Sequence, residues 1–180
     1  MEPYVVSVSL SPTHSFSKYS VASIHLLKGL GVEGDAHCGR EVKHRSRLKI
    51  HPIPPNLRQV HLIHSELFEE LSNKGFHVTP GLIGENITTK GIDLLSLPRN
   101  TILYIGEDAV VEITGLRNPC HQLNNLQEGL LPAVLGTDKE GKVIRKSGIM
   151  GIVRNGGKII PGDEIRVEFP AKPYIKLERV

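Results

Sequence analysis

A mostly β, barrel-like domain with one or two short helices is what this sequence predicts, on three observations. Short runs rich in Val, Ile and Leu recur along the chain, Gly and Pro punctuate them at close intervals, and only two segments space their apolar residues as a helix does. A length of 180 residues suits one domain whose core needs no covalent staples. Residues 1–180 are expected to form that single domain, because no internal repeat and no low-complexity linker divides them.

Tyr4 to Leu10 is rich in β-branched residues and reads as a first strand, closed by Ser11-Pro12. Val21 to Leu27 reads as a second. Between Gly29 and Arg40 four glycines permit left-handed backbone angles and close approach to a bound group. The basic stretch Lys43 to Lys49 follows, and Pro52, Pro54 and Pro55 impose an extended course, so no regular element is expected between Gly39 and Asn56. Ser65 is a candidate helix N-cap, with Leu67, Phe68 and Leu71 on one face and Gly75 as a stop. Thr101 to Ile105 and Ala109 to Thr114 form a hairpin pattern across Gly106-Glu107-Asp108. Leu123 to Leu135 has helical spacing interrupted by Gly129 and Pro132, giving one helix or two short pieces. The strand-like runs after Gly148, joined by Asn155-Gly156-Gly157 and Pro161-Gly162-Asp163, read as a β-meander.

Composition removes several classes of function. Aromatic residues are 4% with no tryptophan, which leaves few platforms for stacking on nucleic-acid bases, and a net charge of +3 is too small to imply a polyanionic partner. No stretch approaches the roughly 18 apolar residues of a membrane span, and the N-terminus has no basic start followed by a long apolar run. Cys38 and Cys120 stand far apart without repeated spacing, so neither a disulfide framework nor a zinc ribbon is indicated. The expected setting is the cytoplasm. No GxxxxGK[ST], HExxH, GxSxG or paired CxxC occurs, and the nine histidines are scattered without ligand spacing.

Three constellations remain. In Arg117-Asn118-Pro119-Cys120 a thiol follows an apolar run and sits beside a guanidinium, and a nearby cation favours the thiolate that ligates metals or carries sulfur. Pro119 cannot extend a ladder, which puts Cys120 on a stiff turn at a strand's end. A lone cysteine there ordinarily packs as a small apolar side chain; the surrounding Arg, Asn and His121 are costly to bury without a task. The second constellation joins Gly34-Asp35-Ala36-His37-Cys38-Gly39-Arg40 to the basic stretch containing Arg45, with Arg58 and His61 nearby. Glycine-loop amides and arginine forks suit a phosphate or carboxylate, although a solvated charged loop has the same composition. The third is Gly84-Glu85-Asn86-Ile87-Thr88, whose carboxylate, amide and hydroxyl match the amide edges of a pterin-like ring or simply a turn leading into a strand.

Taken in order, Gly34-Asp35-Ala36-His37, Arg58 to Ile63, Gly84 to Thr88 and Arg117 to Cys120 resemble the motifs of the MOSC domain, named after the C-terminal domain of molybdenum cofactor sulfurase. The resemblance runs from about Gly29 to Phe169 and is to a stand-alone member, without the aminotransferase-like or N-terminal β-barrel domains of larger relatives. It implies a MOSC-type β-barrel-like fold and business with the molybdenum cofactor (molybdopterin). It implies Cys120 as metal ligand and catalytic residue, with His37, Arg45, Arg58, Gly84, Glu85, Asn86, Thr88, Arg117 and Asn118 lining the cofactor pocket. The long insertion between Arg40 and Arg58 departs from shorter family versions. The implied function is an oxidoreductase acting on small N-hydroxylated or similarly oxygenated substrates. Too few cysteines for an iron–sulfur cluster and no flavin fingerprint then require a separate redox partner. The alternative is a sulfur carrier or cofactor-delivery protein with a persulfide on Cys120; a basic interaction module without chemistry is a third.

Overall fold

The computed structural model describes residues 1–40 and 55–180. Arg45, the basic stretch 43–49 and the expected extended course up to Pro54 lie outside the described residues. The chain runs β1 (Tyr4–Leu10), β2 (Tyr19–Val21), β3 (Ile24–Leu27), β4 (Gly31–Val32), β5 (Val60–His64), α1 (Glu66–Asn73), β6 (Ile87–Lys90), β7 (Ile102–Ile105) and β8 (Ala109–Leu116). There follow α2 (Gln122–Leu126), α3 (Leu130–Ala133), β9 (Leu135–Thr137), β10 (Val143–Arg145), β11 (Ile149–Asn155), β12 (Gly157–Ile159) and β13 (Ile165–Glu168). Eight strands form one sheet in the order β13-β7-β8-β11-β5-β6-β1-β2, with smaller sheets β12-β3-β4 and β10-β9 beside it.

The protein is mostly β, as the sequence indicates, but its sheets are open and the described residues form no closed barrel. The reason lies on the outer edge of β1. Its second half pairs with β2 through Val8↔Val21 to Leu10↔Tyr19, leaving only its first residues free. Those reach the start of β13 through one bridge, Tyr4↔Glu164, and three main-chain hydrogen bonds of 2.8 Å, from Val5 N to Asp163 O, Gly162 N to Val5 O and Ile165 N to Pro3 O, rather than through a continuous ladder.

Local expectations hold where the pairing partner is local. The β7–β8 hairpin forms with Leu103 opposite Val111, and β8 alternates buried and half-buried residues along its whole length, the signature of a strand with one face in the core. Leu123 to Leu135 is two short helices broken at Gly129, which takes a left-handed φ of 84°. Three corrections follow from pairing across long sequence separations. The run from Val21 to Leu27 is split, because β2 serves β1 while β3 pairs with β12 in another sheet. The meander is absent: β11 lies between β5 and β8, β12 joins β3, and β13 joins β7, so no two of these successive strands pair with each other. Ser65 does not cap α1; it has helical backbone angles and makes no capping bond, and its amide bonds Thr89 O instead. With α2 and α3, α1 also makes three helices rather than one or two.

The core has two parts on either side of β5. Val60 and Leu62 face the larger cluster with Val111, Ile113 and Ile149, while Ile63 faces a smaller one with Leu67, Leu71, Leu123 and Leu130 from the helices. Alternation along a strand therefore turns His61 to the same side as Ile63. β5 and β6 run parallel with α1 between them in the chain, which sets Asn86, just before β6, beside His61.

Candidate functional site

The Cys120 arm begins where β8 ends. Arg117 leaves the sheet with its amide donating to Gly148 O at 2.9 Å, and the hydroxyl of Ser147 donates to Arg117 O at 3.2 Å, so the segment entering β11 clamps this exit. Gly148 carries a φ of 90° and crosses the face of β5 so closely that a Cβ there would stand 2.2 Å from Leu62 O; only glycine permits the crossing. The Arg117 guanidinium donates to Asn118 O at 2.7 Å and lies near enough to the Cys120 sulfur to interact with it electrostatically. Burial draws Arg117 below its ordinary basicity and Cys120 opposes that pull; a guanidinium remains charged at any pH the protein meets. Asn118 is held by Arg145, whose Nε donates to its side-chain oxygen at 3.2 Å. Cys120 itself is half-buried, and its thiol donates to Gln122 Oε1 at 3.4 Å. It is not sealed among aliphatic groups.

The second arm is buried and polar. Asn86 is its joint: its side-chain oxygen accepts the His61 amide at 3.2 Å, and its Nδ2 donates to Ser9 O at 3.1 Å and to Asp35 Oδ1 at 3.4 Å. Glu85 is fully buried, with Oε1 accepting from Gly81 N at 2.6 Å and from the Thr88 hydroxyl at 3.0 Å, while Oε2 has no partner. Burial raises the Glu85 carboxyl above the usual carboxylate range, against the pull of those donors. The loop that carries Glu85 needs its glycines: Gly81 has a φ of 84° with Lys18 O only 2.5 Å from where a Cβ would be, and Gly84 meets Phe16 O at 2.6 Å in the same way.

Asp35 ties further segments to this arm. Its carboxylate accepts from Ser11 N at 3.0 Å, His37 N at 3.1 Å and Lys18 Nζ at 2.6 Å. Burial alone would raise its pKa, but the donors on His37, Lys18 and Ser11 together hold it well below the carboxylate range. His61 links the two arms, with its ring Nε2 2.7 Å from Ser147 O. Burial, reinforced by the nearby Arg117 and Lys18 charges, outweighs the pull of the Ser147 and Gly84 main chain and lowers its pKa to about 3.

The sequence-predicted residues thus fall into three groups. Arg117, Asn118 and Cys120 form the presenting arm; Gly84, Glu85, Asn86 and Thr88 form the buried arm, their side-chain groups engaged largely within the protein; His37 stands at the Asp35 hub, with its ring edge-on to His14. Arg58 goes elsewhere: its guanidinium donates to the main-chain oxygen of Val180, in the segment that pairs with Leu116. Sequence reasoning missed Lys18 and Ser147-Gly148. Lys18 lies in a serine-rich loop that matches no motif; the signal for Gly148 was a glycine immediately before a strand. An open groove lined by Phe68, Phe76, His77 and Val78 includes none of these residues.

Asp35, Asn86 and His61 are hydrogen-bonded in series to Ser147, whose segment also clamps the exit of Arg117, so the two arms are joined on a mostly β scaffold. The family model for the MOSC domain matches residues 37–166, and the chain belongs to the MOSC domain family. In fold it is similar to the YuaD protein of Bacillus subtilis, 24% identical, with a TM-score of 0.76 over 95% of this chain and 98% of that one. It is similar also to YiiM of Geobacillus stearothermophilus, 20% identical with a TM-score of 0.68 over 97% of this chain and 79% of that one. YiiM of Escherichia coli is 20% identical with a TM-score of 0.64 over 97% and 73%. No curated protein matches the sequence. Among the described residues no helix is long and apolar enough to cross a membrane.

Proposed function

We propose that this protein binds a molybdenum cofactor with Cys120 as metal ligand and acts as an oxidoreductase on small N-hydroxylated or similarly oxygenated compounds. The observation that carries the reading is the Cys120 thiol, half-buried and backed by the Arg117 guanidinium, in a family associated with that cofactor. The donor set fits the group. Among the described residues no three His, Cys, Asp or Glu side chains converge on a point, so a metal at Cys120 brings its other donors with it, as a pterin dithiolene does. Arg117 and Asn118 flank the ligand, His37 offers a polar contact further out, and the Gly84 to Thr88 loop forms a rigid wall; Arg58, turned to Val180, is not part of this set.

When bound, the cofactor supplies a two-electron redox centre. The chain's own residues orient and exclude. Arg117 holds positive charge at the sulfur, and the Ser147-Gly148 clamp fixes the turn that presents it. Reducing an N-hydroxyl group to an amine consumes two electrons and two protons and releases water, and the electrons come from a separate redox partner.

The test is elemental and pterin analysis of protein purified under reducing, anaerobic conditions. Molybdenum and pterin in near-equal amounts are expected. A cyanide-labile sulfur on Cys120 in place of metal overturns the reading in favour of sulfur carriage, and neither group overturns both.

A further inference from the structure

Arg58 belongs to a motif, and its guanidinium meets a segment that runs along the exit carrying Cys120. Its main chain is anchored on both flanks. Arg58 N donates to Asn56 Oδ1 at 3.0 Å, Asn56 Nδ2 donates to His37 O at 3.2 Å and to Gly39 O at 3.0 Å, and Gln59 N donates to Gly151 O at 3.0 Å. The Thr114 hydroxyl donates to Leu57 O at 2.6 Å, which draws this stretch alongside β8. From that base the guanidinium donates to Val180 O, and a charged donor makes the stronger kind of hydrogen bond. Residues 177–180 lie against the last residues of β8. Leu177 is buried in the larger core, Leu116 N donates to Glu178 O at 2.7 Å, and Val180 N donates to Leu116 O at 3.2 Å. Gly115 admits this approach, since a Cβ there would stand 2.5 Å from Glu178 O and 2.8 Å from Val180 Cβ. Leu116 is therefore paired on both sides, by Ile149 of β11 and by Arg179, and the next residue is Arg117. Pairing on both sides suppresses the fraying expected at a strand's end, so the turn that follows leaves from a fixed point.

We propose that Arg58 is a positioning residue for Cys120: by holding Val180 it keeps residues 177–180 paired to Leu116, and that pairing sets the direction in which the Arg117 to Cys120 turn leaves the sheet. The proposal rests on the reading of Cys120 as the reacting end of the site, and it holds whether that sulfur binds metal or carries sulfur. The path from Asn56 through Arg58 and Val180 to Leu116 also joins the His37 side of the site to the Cys120 arm a second time, separately from the link of His61 to Ser147.

Alkylation of Cys120 tests this through the placement of Arg117. Iodoacetate and iodoacetamide are attacked by the same thiolate, so the ratio of their rates, followed by mass spectrometry of the Cys120 peptide, reads the field of the Arg117 guanidinium at the sulfur independently of how much thiolate is present. Val180→Pro leaves every charge in place and deletes only the amide that bonds Leu116 O; it should lower the ratio of iodoacetate to iodoacetamide by roughly two- to fivefold at low salt. Arg58→Leu should lower it at least as far, and Arg58→Lys, which keeps a charged donor for Val180 O, should hold it near the wild-type value. Adding Val180→Pro to Arg58→Leu should lower it no further, because both act through one contact. Ile105→Val, a core change at the other end of β8, weakens the fold away from this contact and should leave the ratio unchanged. If Arg58→Leu does not fold, Val180→Pro and Arg58→Lys decide. A ratio that does not fall in Val180→Pro, that falls as far in Arg58→Lys, or that falls equally in Ile105→Val overturns the proposal. The ratio is read on the full chain before any metal is added, so it can fail while the molybdenum and pterin analysis succeeds, and the reverse.

Discussion

The two arms of the site contain similar numbers of polar side chains and put them to opposite use. On the Arg117 to Cys120 arm, the thiol is half-exposed and donates to the side-chain oxygen of Gln122 at 3.4 Å, a contact that a ligand displaces at little cost. On the Gly81 to Thr88 arm, Glu85, Asn86 and Thr88 are buried, and their groups bond to Gly81, His61, Ser9 and Asp35. One arm presents chemistry and the other maintains shape. Motif residues are thus of two kinds, and burial together with hydrogen-bond occupancy separates them.

That contrast is sharpest where the buried arm has no slack. Gly81→Ala adds a Cβ at a left-handed φ with Lys18 O 2.5 Å away, so it should destabilise the fold by about 3 kcal/mol or more, read from urea unfolding. Next in size, Glu85→Ala leaves the Gly81 amide and the Thr88 hydroxyl without an acceptor and should cost about 2 kcal/mol. Glu85→Gln keeps an acceptor oxygen and should cost clearly less. If both variants match the wild type, the buried arm is not the scaffold described.

Acid should weaken the same arm. Unfolded His61 takes up a proton near pH 6.5 and folded His61 only near pH 3, so between these values the unfolded state binds more protons and stability falls as pH falls. Its contribution should be about 1.4 kcal/mol smaller at pH 5.5 than at pH 7.5, read as the difference between the wild type and His61→Gln. Identical pH profiles for the two proteins would show that His61 is not held neutral. The smallest expected effect is on the presenting arm: Cys120→Ser should change unfolding stability by no more than about 0.5 kcal/mol, since the thiol carries little of the packing. A large loss of stability would place Cys120 with the scaffold.

The legible parts of the sequence are those whose partners are near in the chain. The alternation from Ala109 to Leu116 marked β8, the turn at Gly106 marked its hairpin with β7, and Gly129 marked the break between α2 and α3. The strands after Gly148 were legible as strands and not as pairings, because period-two alternation fixes which face is buried and leaves the neighbouring strand unspecified. Asn155-Gly156 therefore looked like a hairpin turn, whereas Gly157 pairs with Leu26, more than a hundred residues earlier. At the site, Cys120 and the glycine loop were visible through residue type and order. Lys18 was not, since a lysine among serines reads as surface until the tertiary structure sets it against Asp35.

The central claim is that one sulfur, Cys120 Sγ, completes the coordination of a bound molybdenum. X-ray absorption at the molybdenum edge, on anaerobically purified wild type and on Cys120→Ser loaded under the same conditions, measures it directly. The account predicts loss of most of the metal from the variant and, in any metal retained, one sulfur neighbour fewer than in the wild type. Equal metal content with an unchanged sulfur shell would contradict it.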